Sequence, residues 1–347
     1  MCMGPQINTN GSGSDDMCTW ATADTIGQRG SMEDANFPYE HLFGETALET
    51  RKSPNVLGLG YFWGVYDGHG GQRIAGEVAE NLHTKVLEGA RKFVSKIQQA
   101  ITYGYLNTDN DLKQRLDSTV SQGGGTTVLT ALIRDNKLYI SWAGDARGIV
   151  CGDSTKRLLF ETKDHKPDDK DEKKRIEAAG GMVSYICGAT RVNACLAVAR
   201  SIGDWGYAYL PGFSKKKEEC IDLEKLTCTK VISSLPNHLN PINIKDIDFF
   251  VLACDGLWDV INNEDVCKFV YDSLDTTSPS TVTKERAEEI ASALVKRALD
   301  QGSSDNITVT IVFIKHGVSP ARNPLTQALG LLKQKLLDLA KVLATPT

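Results

Sequence analysis

Three things are missing from this chain, and each absence excludes a class of protein. None of its nine cysteines forms a Cys-x-x-Cys pair, so a structural zinc site has little support. The nine (Cys2, Cys18, Cys151, Cys187, Cys195, Cys220, Cys228, Cys254 and Cys267) are odd in number and scattered. Several lie within apolar runs, where a reduced thiol behaves as a small hydrophobe. That usage reads as reduced thiols in a cytoplasmic or nuclear protein, not as a disulfide framework. No apolar stretch is long enough to span a membrane and no signal-peptide pattern is found, so neither a membrane span nor secretion is expected. Met3-Gly4 has the look of a myristoylation start, but Asn8 stands where Ser or Thr is wanted and Met1-Cys2 precede it. An excess of positive charge is also missing. The formal net charge is -5, so no bulk attraction to nucleic acid or anionic membrane is expected.

What is present is ordinary globular material: 347 residues, 41% of them hydrophobic, enough for one large domain or two small ones around a substantial core. Residues 1–16 are polar and glycine-rich and read as a flexible leader. Cys18 to Ile26 reads as a strand, and the turn after it carries Arg29, Glu33 and Asp34. Residues 40–56 read as a loop or insertion. Leu57 to Tyr66 is an apolar, aromatic strand ending at Asp67-Gly68-His69. Residues 72–103 show helical spacing through Ile74, Val78, Leu82 and Val86, with a second helix over Leu106 to Val120. Strands follow at 126–134, 137–143, 149–151 and 158–162, the first two joined at Asp135-Asn136 by a turn that lacks glycine. The polar run 163–175 reads as a solvated helix face, acids early and bases late, continued to Ala179 and capped by Gly180-Gly181. Leu196 to Val198 reads as a short strand, and 205–229 as a surface flap. Phe249 to Cys254 is a fully apolar strand ending at Asp255-Gly256. Helices are expected from Asn263 and over Lys284 to Leu299, then a strand at Ile307 to Ile314. In the tail, 317–347, leucines recur at spacings of three and four from Leu325 to Leu343. They describe an amphipathic helix that either packs on its own domain or binds a partner.

The strand ends carry the chemistry. Asp67, Asp145 and Asp255 follow apolar strands, Asp305 precedes one, and Glu33-Asp34 sit in a turn after one. In an antiparallel sandwich such ends collect at two rims, so six carboxylates can share one rim. Crowded carboxylates raise one another's pKa. Hard divalent cations remove that conflict, and all-oxygen ligation points to magnesium or manganese. Any single Asp-Gly is an ordinary turn; the force lies in the repetition.

Seven stretches in order resemble the motif set of the metal-dependent Ser/Thr protein phosphatases of type 2C, the PPM family. They are Arg29 to Ala35, Val65 to Gly71, Gly144 to Arg147, Asp164 to Pro167, Leu196 to Asp204, Leu252 to Val260 and Asp305 to Thr308. The resemblance runs from about residue 20 to 315. It implies an α+β fold, a four-layer α-β-β-α sandwich of two antiparallel sheets flanked by helix pairs, with the catalytic domain over 17–316. It implies hydrolysis of phosphoserine and phosphothreonine on protein substrates by a water or hydroxide between two Mg²⁺ or Mn²⁺ ions, without a phosphoenzyme. It implies that Asp67 bridges both ions, that the Gly68 carbonyl and Glu33 serve one, and that Asp255 and Asp305 hold the other. By the same resemblance Asp145, with Asp255, matches a third, weaker ion. Asp34 orients the water and Asn306 hydrogen-bonds it, Arg29 grips the phosphate, and His69 protonates the leaving alkoxide.

The chemistry of the reaction asks for the same groups. A phosphate dianion repels a nucleophile, so the site must supply positive charge, and an alkoxide leaves poorly without a general acid. Without the family, Arg29 reads as an ion-pair partner of Glu33 or Asp34, and His69 is equally a cap for the following helix. Asp164 to Pro167 is assigned to structure despite His165. Lys215 to Lys217 is either solvated or attracts phosphosubstrate. Cys254 reads as a buried structural thiol. Two departures, Asn36 where many members have histidine and the run Ser234 to His238, fall on no position that is a metal ligand in the family. The full set of carboxylates argues against a fold retained without turnover.

Overall fold

The computed structural model describes residues 5–41, 60–116, 124–152, 155–207, 221–222, 227–228 and 230–316. The 42–56 part of the predicted loop, Lys215 to Lys217, most of the predicted flap and the leucine-rich tail lie outside the described residues.

Two six-stranded antiparallel sheets organise the chain. The strands of the first are β1 (Asn8–Ser14), β2 (Cys18–Thr25), β7 (Arg147–Gly152), β8 (Arg157–Glu161), β9 (Phe249–Ala253) and β10 (Ile307–Ile314). Their order across the sheet is β1-β2-β10-β9-β7-β8. The second sheet holds β3 (Ala35–His41), β4 (Tyr61–Tyr66), β5 (Val128–Arg134) and β6 (Lys137–Ala143), with Asn237–His238 and Ile242–Asn243 both added along β6. Every residue of β2, β9 and β10 is buried, as expected of central strands covered on both faces. The β5–β6 hairpin turns through Asp135 and Asn136, both at positive φ (51° and 60°), the backbone of a two-residue turn that asparagine and aspartate adopt without glycine.

The helices among the described residues are α1 (Arg73–Lys92), α2 (Ile97–Leu116), α3 (Lys170–Ala178), α4 (Asp255–Trp258), α5 (Asn263–Leu274) and α6 (Lys284–Asp300). Helix α1 buries Ile74, Val78, Leu82 and Val86, the predicted stripe. Caps set several starts: Asn262 accepts from Asp265 N at 2.8 Å, and Thr283 from Arg286 N at 3.2 Å.

Three apolar clusters show how the elements stack. One joins facing residues of the two sheets, among them Trp20, Phe250 and Val312 from the first and Trp63, Leu129 and Ile140 from the second. A second packs α5 and α6 on the first sheet through Val266, Val270, Leu294 and Phe313. A third packs α1 and α2 on the second sheet through Val78, Leu82, Ile101 and Phe62.

Four sequence expectations are corrected. Residues 8–14 are not a flexible leader but the edge strand β1, paired with β2 from Asn8–Asp24 to Ser14–Thr19; backbone hydrogen bonds order a segment whose side chains carry no apolar signal. The helical run 72–103 breaks at residues 93–96, where Ser95 takes φ 64°, and α2 begins at Ile97, nine residues before the predicted start. Helix α3 starts only at Lys170, with Asp169 as its cap accepting from Asp171 N at 3.1 Å; residues 163–168 run as irregular backbone. Leu196 to Val198 makes one isolated bridge, Leu196 to Val192, and no strand. Asp255 stands at a strand end as expected, two residues past Ala253, and there it also opens the short helix α4.

Candidate active site

Loops at one rim of the sheets bring Asp34, Asp67, Asp145 and Asp255 of the predicted carboxylates together. Asp67 follows β4, and its carbonyl accepts from Thr127 N at 2.9 Å and Thr126 Oγ1 at 3.0 Å, which fixes the strand end. Asp145 lies in the turn between β6 and β7. That turn is held by His165, whose N–H donates to the Gly144 carbonyl at 2.9 Å and whose Nδ1 accepts from Gly144 N at 3.1 Å. Asp255 opens α4. Carboxylate oxygens of Asp67, Asp145 and Asp255 all lie within 4.8 Å of one another, as do ligand atoms of Asp34, Asp67 and Cys254. Gly68 packs so tightly on the Glu33 carbonyl that a Cβ there would stand 2.1 Å from it, so the two family-implied ligand positions Glu33 and Gly68 share a backbone contact.

The electrostatics test whether this set suits a hard cation. Desolvation, then Asp255, Asp34 and Asp145, hold the Asp67 carboxyl well above the usual carboxylate range. Asp255 is pushed up to about 8 by desolvation and by Asp145, against the pull of Lys166. Asp34 is pushed up to about 6 by burial, although Thr308 Oγ1 donates to it at 2.7 Å. The bare rim therefore resists carrying its full negative charge at neutral pH. Oxygen donors crowded at this spacing fit a hard divalent cation, which would make that charge favourable.

Arg29 and His69 flank the cluster. Arg29 pairs with Asp305, not with Glu33 or Asp34 as its position in the chain suggested, and its side chain remains 58% exposed. His69 does not cap α1, whose N-cap is Gln72 without a side-chain bond. Its Nε2 lies 2.8 Å from Asp204 Oδ2. Desolvation lowers the imidazole's affinity for a proton, but the Asp204 carboxylate outweighs that and raises it. Asn306, expected beside the attacking water, is committed to backbone: Oδ1 accepts from Glu33 N at 2.7 Å, and Nδ2 donates to the Ile26 and Ser31 carbonyls at 2.9 and 3.0 Å. It shapes the turn that carries Arg29, Glu33 and Asp34. Cys254 is buried, accepts from Thr308 N at 3.1 Å and donates to the Asn306 carbonyl at 3.4 Å. Burial pushes its thiol up, which keeps it unreactive.

Two residues were missed. Lys166 ion-pairs with Asp145 and lies 4.0 Å from Asp255; burial opposes its charge, but the two carboxylates prevail and hold it protonated. Asp204 stands out in the sequence only as the last residue of the stretch Leu196 to Asp204. Nothing in its own spacing ties it to His69, 135 residues away; only sheet pairing does.

Comparisons with known proteins point to one family. The protein phosphatase 2C family model matches residues 27–307. A probable protein phosphatase 2C 45 of Oryza sativa subsp. japonica is 33% identical over 319 residues, covering 90% of this chain and 94% of that protein. A probable protein phosphatase 2C of Caenorhabditis elegans is 33% identical over 299 residues, covering 85% of this chain and 74% of that one. The crystal structure of a serine-threonine phosphatase 2C from Toxoplasma gondii superposes with a TM-score of 0.66 at 20% identity, covering 90% of this chain and all of that chain (100%), a likeness of fold. The chain is a metal-dependent protein-serine/threonine phosphatase. It belongs to the protein phosphatase 2C family, through a match that takes in every carboxylate of the rim.

Proposed function

We propose that this enzyme hydrolyses phosphoserine and phosphothreonine on protein chains with two magnesium or manganese ions held at the carboxylate rim, and that no phosphorylated enzyme forms. The observation that carries this reading is the convergence of Asp67, Asp145 and Asp255 within 4.8 Å, with Asp34 against Asp67. Asp67 would be shared by both ions, the Gly68 carbonyl and Glu33 would serve one, and Asp255 and Asp305 the other. Asp145 with Asp255 offers the place for a third, weaker ion. When bound, such cations lower the pKa of a water nucleophile and withdraw charge from the phosphate oxygens.

The chain's own groups do the rest. Asp34, fixed by Thr308, orients the attacking water. Arg29, largely exposed, grips the phosphate with a planar fork of donors. His69 gives its proton to the departing alkoxide, a contribution of about 10²–10⁴-fold. No side chain is needed as nucleophile, and the buried Cys254 is unfit to be one. The three apolar clusters support a four-layer sandwich, helices outside and sheets within, whose open rim suits a protein substrate. The reduced-thiol pattern favours a cytoplasmic or nuclear setting.

The test compares a phosphoprotein, a phosphothreonine peptide and small phosphate esters with and without Mn²⁺, in the wild type and in Asp67→Ala and Asp255→Ala. Both variants are expected to lose at least about 10³-fold of metal-dependent turnover on the peptide. Wild-type rates in either would overturn the site. Preference for small esters over peptide and phosphoprotein would overturn the substrate class, and binding of phosphopeptide without turnover by the wild type would make the protein a binding module.

A further inference from the structure

We infer that Asp204 is the positioning residue for His69: its carboxylate holds Nε2–H of the imidazole, fixes the ring plane and leaves Nδ1 to deliver the proton. The inference rests on the reading of His69 as general acid. A small three-stranded sheet makes the pairing. Gly68–His69, Gly125–Thr126 and Ile202–Gly203 run antiparallel, with His69 opposite Gly125 and Gly125 opposite Gly203. The middle position has no side chain, and a Cβ on Gly125 would stand 2.4–2.9 Å from the carboxylate atoms of Asp204. That carboxylate therefore fills the space a side chain would occupy, directly beside His69.

Asp204 is built in rather than incidental. It is 1% exposed. Its backbone takes φ 55°, in the left-handed region that few residues other than glycine, asparagine and aspartate adopt. Asp109, buried on α2, holds both neighbours: its Oδ1 accepts from Gly203 N at 3.1 Å and from Trp205 Nε1 at 2.8 Å. Asp204 N donates to the Gly124 carbonyl at 2.8 Å. The carboxylate meets Ser201 Oγ at 2.5 Å and His69 Nε2 at 2.8 Å, both through Oδ2, while Oδ1 is buried without a partner among the described residues. A turn-capping aspartate would spend its oxygens on nearby backbone N–H groups; this one turns Oδ2 to a serine hydroxyl and the imidazole. A buried carboxylate requires a positive or strongly donating partner, and His69 provides it.

The proton balance is simple. As the P–O bond to the alkoxide breaks, its electron pair stays on the alkoxide oxygen, which takes the proton from His69 Nδ1. The imidazole becomes neutral with Nε2–H still on Asp204, and Nδ1 is reprotonated from solvent. Asp204 neither gives nor takes a proton in this step; its part is to orient the ring, as a carboxylate does beside other catalytic histidines.

Leaving-group dependence tests this. Asp204→Asn, His69→Ala and the double variant are assayed at saturating Mn²⁺ on a phosphothreonine peptide, whose alkoxide needs a proton, and on p-nitrophenyl phosphate, whose phenolate does not. Asp204→Asn is expected to lose about 10- to 100-fold in kcat on the peptide and far less on the aryl ester. The double variant should be no slower than His69→Ala. Equal losses on both esters, or additive losses in the double variant, overturn the inference. Selectivity in His69→Ala without selectivity in Asp204→Asn overturns it while leaving the general acid intact; no selectivity in either sinks the general acid itself. If Asp204→Asn fails to fold, ¹⁵N-histidine NMR of the wild type still decides. Neutral His69 should carry its proton on Nε2, and the opposite tautomer would overturn the assignment.

Discussion

His165 is 3% exposed, stacks on Trp142 and accepts Gly144 N–H one residue before Asp145. Burial, with help from Arg200 and Arg175, pushes its imidazole down to about 3. Beneath it Glu172 is equally buried. Burial alone would raise that carboxyl, but hydrogen bonds from Arg200 and the charges of Arg200 and Arg175 bring it down to about 2. Both folded values lie below the unfolded ones, near 6.5 and 4.5. Each group therefore stabilises the fold above its unfolded value, and that stability is lost as pH falls. The His165 contribution fades between about pH 6.5 and 3, at up to roughly 1.4 kcal/mol per pH unit, and the Glu172 contribution only below about pH 4.5. Urea unfolding of the apo wild type and of His165→Gln across this range should isolate the first window in their difference, because the raised carboxyls of the rim contribute the opposite slope to both. The wild type should lose more stability than the variant, or gain less, between pH 6 and 5, with the loss below pH 4.5 common to both; parallel curves would show that other groups set the upper slope. The role of His165 agrees with the sequence reading of Asp164 to Pro167 as structural. That of Lys166, one residue on, does not, because its ion pair with Asp145 forms only where the two loops meet.

At the scale of elements, what the chain displayed best was the ends of strands. Apolar runs terminating at Asp67-Gly68 and Asp255-Gly256 are visible because the change from burial to carboxylate is abrupt. The break between α1 and α2 was not visible, since residues 93–96 turn on Ser95 at positive φ, with no glycine or proline to announce it. Strand β1 was hidden for a related reason: its side chains are mostly polar, and it is ordered by pairing with β2. The turn from Ile26 to Glu33 is an intermediate case. Its Arg, Glu and Asp were legible as functional groups, but the device that shapes it sits 273 residues away. Asn306 satisfies three backbone groups of that turn. Asn306→Ala is expected to destabilise the protein by about 2–3 kcal/mol, at roughly 1 kcal/mol per lost hydrogen bond, and to lower turnover by loosening Arg29 and Asp34. Chemical denaturation and a phosphopeptide assay check both effects. Full stability in that variant would return Asn306 to the role first expected of it, hydrogen bonding to water in the site.

At the scale of the whole molecule, the carboxylate rim is a liability that a cation converts into an asset. Asp34, Asp67 and Asp255 all resist ionisation in the bare fold, so folding without cation works against their charge. A ligand bound only by the folded state adds about 2.7 kcal/mol at a hundredfold excess over its Kd, worth roughly 5 °C in Tm for a domain of this size. Mn²⁺ or Mg²⁺ should raise Tm by that order and chelation should reverse it, with the shift lost in Asp67→Ala. A scan that ignores the metal would show that these residues do not hold it.

The chain by itself determined the class of chemistry. Apolar strands ending in acids imply an oxygen-rich rim, and the order of seven motifs names the family, because both signals are local and survive without coordinates. Tertiary structure alone decided which acids meet, that Arg29 pairs with Asp305, that Asn306 is spent on a turn, and that Asp204 stands behind His69. Those facts depend on sheet register and loop packing between residues far apart in the chain. Pairing of that kind leaves no periodic trace in the sequence of either partner.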